Sequence, residues 1–211
     1  MLKTNFSEFS NRMSIRIGML FSKIPISANV WTLLSVVPAI AGFVLLAYYK
    51  QMTNALILFV ISSVMDAIDG GVARVTGTVS NLGAYLDGMM DRVVEGLLLV
   101  GIMLYGINDL TIGVYSTPAY ILIVLLLFFG SVMTSYSRAY AVYRKVLRSE
   151  KKISKMPGIL ERAERLILVF IGMLTYGLNP LYLTYAIALA AVLSIITVMQ
   201  RVIYIVRNAE Y

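Results

Sequence analysis

The sequence predicts an all-α, polytopic membrane protein: six transmembrane helices preceded by an interfacial amphipathic helix. Three observations predict it. Apolar residues make up 59% of the 211, against roughly 45–50% in soluble globular domains, and the mean hydropathy is +0.82. Residues 28–49 and 113–137 carry no charge, and each stretch reaches the roughly 20 residues that a helix needs to cross hydrocarbon. Finally, lysine and arginine collect in segments that an even number of spans places on one side of the membrane.

The elements follow in order. Phe6, Phe9, Met13, Ile17 and Leu20 recur at spacings of three and four, with Glu8, Arg12 and Arg16 mostly on the other face; this predicts an amphipathic helix over 3–22 lying in the interface. The first residues, with Glu8 and no long apolar stretch, do not read as an export signal. Pro25 turns the chain into a first span at 28–49, and a second covers 54–75. Gly77 to Asn81 is a short polar turn. A third span covers 82–105, 106–115 is a loop, and a fourth span covers 117–143 before the basic stretch Arg144 to Lys155. The remaining apolar run is too long for one helix. Gly177-Leu-Asn-Pro180 breaks it, giving spans at 158–178 and 180–203. With no soluble appendage or short-period repeat, 1–211 reads as one membrane domain. With both termini cytoplasmic, Lys50 is the only basic residue in an outer loop.

Composition also excludes chemistry. Without histidine or cysteine, the chain cannot build a Ser-His-Asp triad, a thiol nucleophile, a His/Cys zinc site or a disulfide. Acid, base and metal chemistry falls to carboxylates. The net charge of +7 suits anionic lipid or anionic substrates, although cytoplasmic loops alone give the same excess. Nothing in its pattern calls for nucleic acid.

Of the 11 acidic residues, Asp66, Asp69, Asp87, Asp91 and Glu95 fall inside predicted spans, where each carboxylate costs roughly 2.5–3.5 kcal/mol at mid-bilayer. At 100° per residue, Asp66 and Asp69 share a face of the second span and Asp87 and Asp91 a face of the third. The short turn makes these spans antiparallel neighbours, so four carboxylates can converge near the cytoplasmic end. Arg74 and Arg92 cannot neutralise them all, and divalent cations resolve the repulsion. Oxygen-only ligands favour magnesium, manganese or calcium, and a pair of ions fits in-line phosphoryl displacement. The competing readings are helix glue and a cation path of a transporter. Transporters often show paired halves with broken helices, and no such pairing is visible. Gly70, Gly71 and Gly83 permit close backbone approach, with Gly71 read as a packing residue.

Asp66-Ala-Ile-Asp69-Gly70-Gly-Val-Ala73-Arg74, eight further residues, then Gly83-Ala-Tyr-Leu-Asp87-Gly-Met-Met-Asp91 resembles without mismatch the signature of the CDP-alcohol phosphotransferase family. The resemblance implies a homodimer of six-helix subunits that transfers the phospho-lipid part of a CDP-lipid to an acceptor hydroxyl and releases CMP. It implies two Mg2+ or Mn2+ ions, one held by Asp66, Asp69 and Asp87 and the other by Asp66, Asp87 and Asp91, with Asp91 also the general base. It implies donor contacts at Gly70, Arg74 and Ser80, together with Asp66 and Asp69, and, with weaker specificity, at Asn29 and Thr32. The active site would face the cytoplasm of the cell membrane.

The acceptor is read from a second set of residues. Ser135-Tyr-Ser-Arg138-Ala and Gly158-Ile-Leu-Glu-Arg162-Ala-Glu-Arg165 resemble the branch of the family whose acceptor is inositol 1-phosphate. That resemblance implies an acceptor-phosphate pocket from Arg138, Arg162 and Arg201, with Arg165 beside them. Tyr140 and the long basic stretch before Pro157 depart from the branch. The bland alternative is snorkelling and positive-inside bias, and glycerol 3-phosphate or serine are the alternative acceptors. The sequence does not choose between diacyl and archaeal ether lipid.

Overall fold

The computed structural model describes residues 18–210. The expected amphipathic helix at 3–22 therefore falls mostly outside the described residues, and only Gly18 to Phe21 are seen as helix. The long helices are α1 (Ala28–Ala47), α2 (Met52–Thr76), α3 (Asn81–Tyr105), α4 (Ala119–Tyr143), α6 (Arg162–Thr175) and α7 (Leu181–Arg207), with a short α5 (Glu150–Ser154) in the basic stretch. Among the described residues four helices, α1, α2, α4 and α7, are long and apolar enough to cross a membrane. The other two differ for separate reasons. α3 carries Asp87, Asp91, Arg92 and Glu95, and α6 has 14 residues, about 21 Å at 1.5 Å per residue.

The chain divides into two compact units, one ending at Leu98 and one beginning at Leu99, so that α3 runs through the boundary. In the first unit α1 packs along α2. Ser62 Oγ donates to the Ser35 carbonyl at 2.7 Å, both buried. Lipid removes the hydrophobic drive between helices, so close packing and such hydrogen bonds, about 0.6 kcal/mol each, hold them together. Trp31, Ile68 and Val72 form a small core with Phe21, Ile26 and Met65 around it, and the Phe21 ring meets Trp31 edge-on at 5.5 Å. Gly18 lies so close to the Gly71 backbone that no side chain fits between them, in agreement with Gly71 as a packing residue. α2 stops at Gly77, whose φ of 68° is the left-handed conformation of a helix C-cap. Ser80 then caps α3, its Oγ accepting from the Gly83 N–H at 3.0 Å.

In the second unit α7 packs against α4 and α6. Residues Leu126–Met133 of α4 are π-helical, a wide turn that hydropathy does not foretell. The expected loop after α3 contains a small antiparallel hairpin, β1 (Leu110–Ile112) with β2 (Tyr115–Thr117). Asp109 Oδ1 accepts from the Ala119 N–H at 2.9 Å and so caps α4. The fifth helix begins at Arg162 rather than at 158. Glu161 and Glu164 form a capping box there, and residues 156–161 before it are not helical.

Candidate active site

Two clusters of functional side chains stand out, one in each unit. The first grows from the end of α2 and the start of α3. The i, i+3 spacing puts Asp66 and Asp69 on one face of α2, the four-residue turn 77–80 brings α3 back, and Asp87 completes the group. One carboxylate oxygen from each of Asp66, Asp69 and Asp87 lies within 4.8 Å of the others. Asp69 is buried, and its Oδ2 has no hydrogen-bond partner among the described residues. A buried orphan oxygen beside two further carboxylates fits a hard divalent cation such as Mg2+ or Mn2+ and is costly without one.

A cavity of about 350 Å³ opens beside this group, lined by Asn29, Thr32, Asp69, Gly70, Arg74, Ser80 and Asp87, among others. The Arg74 guanidinium lies across Gly70, where a Cβ would stand 3.5 Å from its Nη2. A Cβ on Gly83 would stand 3.1 Å from Asn29 Oδ1 and 3.2 Å from Ser80 Oγ, so α1 and the start of α3 close one wall. Thr32 Oγ1 donates to the Ala28 carbonyl at 3.2 Å. Of the seven residues expected from the resemblance to touch the donor, Asn29, Thr32, Asp69, Gly70, Arg74 and Ser80 line this cavity, and Asp66 is not in its lining. Thr78 and Val79 also line it. Sequence reasoning missed both, since a threonine and a valine in a polar turn carry no chemical signal.

Asp91 is not among the carboxylates that meet within 4.8 Å. It is nearly buried, and its Oδ2 accepts from Arg92 Nη1 at 3.1 Å. Arg92 Nη1 also donates to the Gly88 carbonyl at 3.0 Å. The structure thus brings three of the four expected metal ligands together and puts the fourth one turn further along α3, in an ion pair.

The second cluster is cationic. Arg201 on α7 donates through Nη1 to the Thr134 carbonyl and through Nε to the Pro157 carbonyl at 3.3 Å, and it lies within electrostatic reach of Arg138, Arg165 and Glu161. Arg165 is 3% exposed. Its side chain crosses the π-helical turn at Gly130, where a Cβ would stand 2.9 Å from Arg165 Cδ and 3.0 Å from Ser194 Oγ. Arg162 occupies the first position of α6, next to the capping Glu161. Arg201 thus has two arginines and one glutamate within electrostatic reach, a grouping whose guanidiniums suit an anion's oxygens. Sequence reasoning gave Gly130, Thr134 and Pro157 no part in seating them. A glycine or threonine in an apolar helix reads as packing, and a carbonyl acceptor has no sequence signature.

Comparison with known proteins identifies the family. Residues 25–204 match the CDP-alcohol phosphatidyltransferase family. The archaetidylinositol phosphate synthase of Aeropyrum pernix is 32% identical over 200 residues, covering 94% of this chain and 93% of that protein. Among solved structures, the phosphatidylinositol phosphate synthase of Mycobacterium tuberculosis superposes with a TM-score of 0.74 at 24% identity with CDP-DAG bound, covering 92% of this chain and 94% of that one. The same protein in complex with manganese and citrate gives 0.73, covering 91% and 88%. With its apolar helices, its aspartate group and this match across most of its length, the chain belongs to the CDP-alcohol phosphatidyltransferase family and is a membrane transferase of phospholipid biosynthesis.

Proposed function

We propose that the protein transfers the phospho-lipid part of CDP-diacylglycerol or CDP-archaeol to a hydroxyl of inositol 1-phosphate and releases CMP. The observation that carries the reading is the meeting of the Asp66, Asp69 and Asp87 carboxylates on the cavity lined by Arg74 and the Gly70 backbone. In this reading Asp66, Asp69, Asp87 and Asp91 hold two Mg2+ or Mn2+ ions, which neutralise charge on the diphosphate and stabilise the leaving CMP. Arg74, Ser80 and Gly70 hold the diphosphate, and Asn29 and Thr32 lie towards the nucleotide. Asp91 takes the acceptor's proton as the new O–P bond forms and the P–O bond to CMP breaks, its electron pair leaving with CMP. Arg138, Arg162, Arg165 and Arg201 hold the acceptor's phosphate. The inositol phosphate products named for the Aeropyrum and Mycobacterium relatives support this choice of acceptor, as do the arginines grouped around Arg201. The Mycobacterium protein's complexes with CDP-DAG and with manganese support the donor and the metal.

The same reading assigns one membrane domain of six spans, α3 and α6 included, in a homodimer with the site facing the cytoplasm. A deciding experiment supplies the purified protein with CDP-lipid, Mn2+ or Mg2+, and a panel of inositol 1-phosphate, glycerol 3-phosphate, serine and free inositol, and follows CMP. Release dependent on inositol 1-phosphate is expected. Equal release with serine or free inositol would remove the phosphate pocket and leave the metal-dependent transfer standing. For topology, single cysteines replacing Lys50 and Lys152 should label from opposite sides of the membrane, and labelling from one side contradicts the six-span arrangement.

A further inference from the structure

Residues Gly18–Phe21 are helical and press on the back of α2. A Cβ at Gly18 would run into the Gly71 carbonyl group and stand 3.0 Å from the Gly71 Cα. The obstacle is main chain, which cannot swing aside as the end of a side chain can. The segment is also pinned where it touches. The Phe21 ring meets Trp31 edge-on at 5.5 Å, and Phe21 and Ile26 pack on the core of Trp31, Ile68 and Val72. Ile68 and Val72 bracket Gly71 along α2, so a side chain added at Gly18 would load the α2 backbone at that point.

The opposite face of this turn carries the chemistry. At 100° per residue, Asp69 lies about 200° from Gly71 and Asp66 about 140°, and both carboxylates meet Asp87 on that far side. Gly70, the residue between Asp69 and Gly71, lines the donor cavity. Two other tight glycine contacts press on something different. A Cβ at Gly42 would stand 3.0 Å from Phe59 Cε2, and one at Gly172 would stand 2.8 Å from Ala186 Cβ. Both close a helix pair through apolar side chains, whereas the contact at Gly18 falls on the backbone of the turn that joins a grouped carboxylate to a cavity-lining glycine. We propose that Gly18 is a positioning residue for the metal site. Its missing side chain lets residues 18–21 seat directly on the Gly71 backbone and fix the depth of the Asp69–Gly71 turn, so that the Asp69 carboxylate reaches those of Asp66 and Asp87. The inference rests on the metal-dependent reading of that group and is independent of which acceptor the enzyme uses.

The test measures Mn2+ affinity of the whole protein by electron paramagnetic resonance, with Tm and steady-state kinetics alongside. Gly18→Ala should weaken Mn2+ binding about tenfold, the scale at which the support around a metal ligand acts. It should also raise the donor KM and leave the acceptor KM near wild type. Phe21→Ala adds no atom and unpins the same segment, and it should weaken Mn2+ binding in the same direction by less; it decides the matter if Gly18→Ala does not fold. Gly42→Ala is the packing control within the same unit, expected to lower Tm and to keep the wild-type Mn2+ affinity. Either folded variant of the segment with wild-type Mn2+ affinity overturns the proposal. So does an equal loss of affinity in Gly42→Ala, which would make the effect one of packing in general. A wild-type protein that binds no Mn2+ overturns the metal-dependent reading itself, and this inference with it.

Discussion

The carboxylate site takes its groups from two helices joined by a four-residue turn, whereas the arginine cluster takes Arg138, Arg165 and Arg201 from three helices separated by loops. The first is held by local periodicity: i, i+3 spacing and a tight turn leave Asp66, Asp69 and Asp87 no other place to meet. The second is held by tethers. Arg201 is tied to the carbonyls of Thr134 and Pro157, and Arg165 fits only because position 130 has no side chain. Grouped carboxylates favour a cation, and grouped guanidiniums favour an anion. On the proposed reading these are the metal and the acceptor phosphate, so each cluster should fail in its own way when it is altered.

The largest effect is expected at Asp66 or Asp69. Replacement of either by Asn should lower turnover by about 10³-fold, the scale of a lost electrostatic stabiliser, and should remove Mn2+ and donor binding together, seen by electron paramagnetic resonance and by the donor KM. Asp91→Asn should sharpen the contrast within the same site. It should lower kcat about 10²–10⁴-fold, the usual worth of a positioned base, while the donor KM stays close to wild type. Near-normal turnover in this variant would assign the base elsewhere.

Smaller effects belong to the second unit. Arg138→Ala and Arg162→Ala should each raise the acceptor KM about tenfold, one charge-assisted hydrogen bond being worth about 1.5–3 kcal/mol, without change in metal affinity. The smallest effect is at Glu210, outside the spans. The hydrogen bond from Lys152, followed by that from the Arg148 N–H, holds its carboxyl below the usual carboxylate range. A lowered pKa means that its stabilisation is present above the unfolded value and is lost as pH falls through the folded one. Glu210→Gln should therefore unfold at slightly lower temperature than wild type near neutral pH, and the difference should vanish in acid.

The two regions also differ in how far the sequence disclosed them. Asp66, Asp69 and Asp87 are conspicuous because a carboxylate in an apolar run is costly, and helical spacing alone predicts their convergence. Asp91 follows the same spacing and also pairs with the neighbouring Arg92, a partner that periodicity does not contain. In the second unit α6 starts at Arg162, where Glu161 and Glu164 form a capping box, a start that hydropathy alone set at 158. The π-helical turn at Leu126–Met133 left no trace in hydropathy, since widening a turn changes backbone pairing and not residue polarity. Arginines were visible as charges, but what seats them is carbonyl oxygen and a missing side chain, neither of which has a letter in the sequence.

The division of labour between the clusters is tested most directly by paired kinetics on Arg74→Ala and Arg201→Ala, with CDP-lipid and inositol 1-phosphate each varied at saturating partner. The account predicts opposite splits. Arg74→Ala raises the donor KM and leaves the acceptor KM near wild type, while Arg201→Ala raises the acceptor KM about tenfold or more and leaves the donor KM unchanged. A folded Arg201→Ala enzyme with a wild-type acceptor KM, or one whose two KM values rise together, would contradict it.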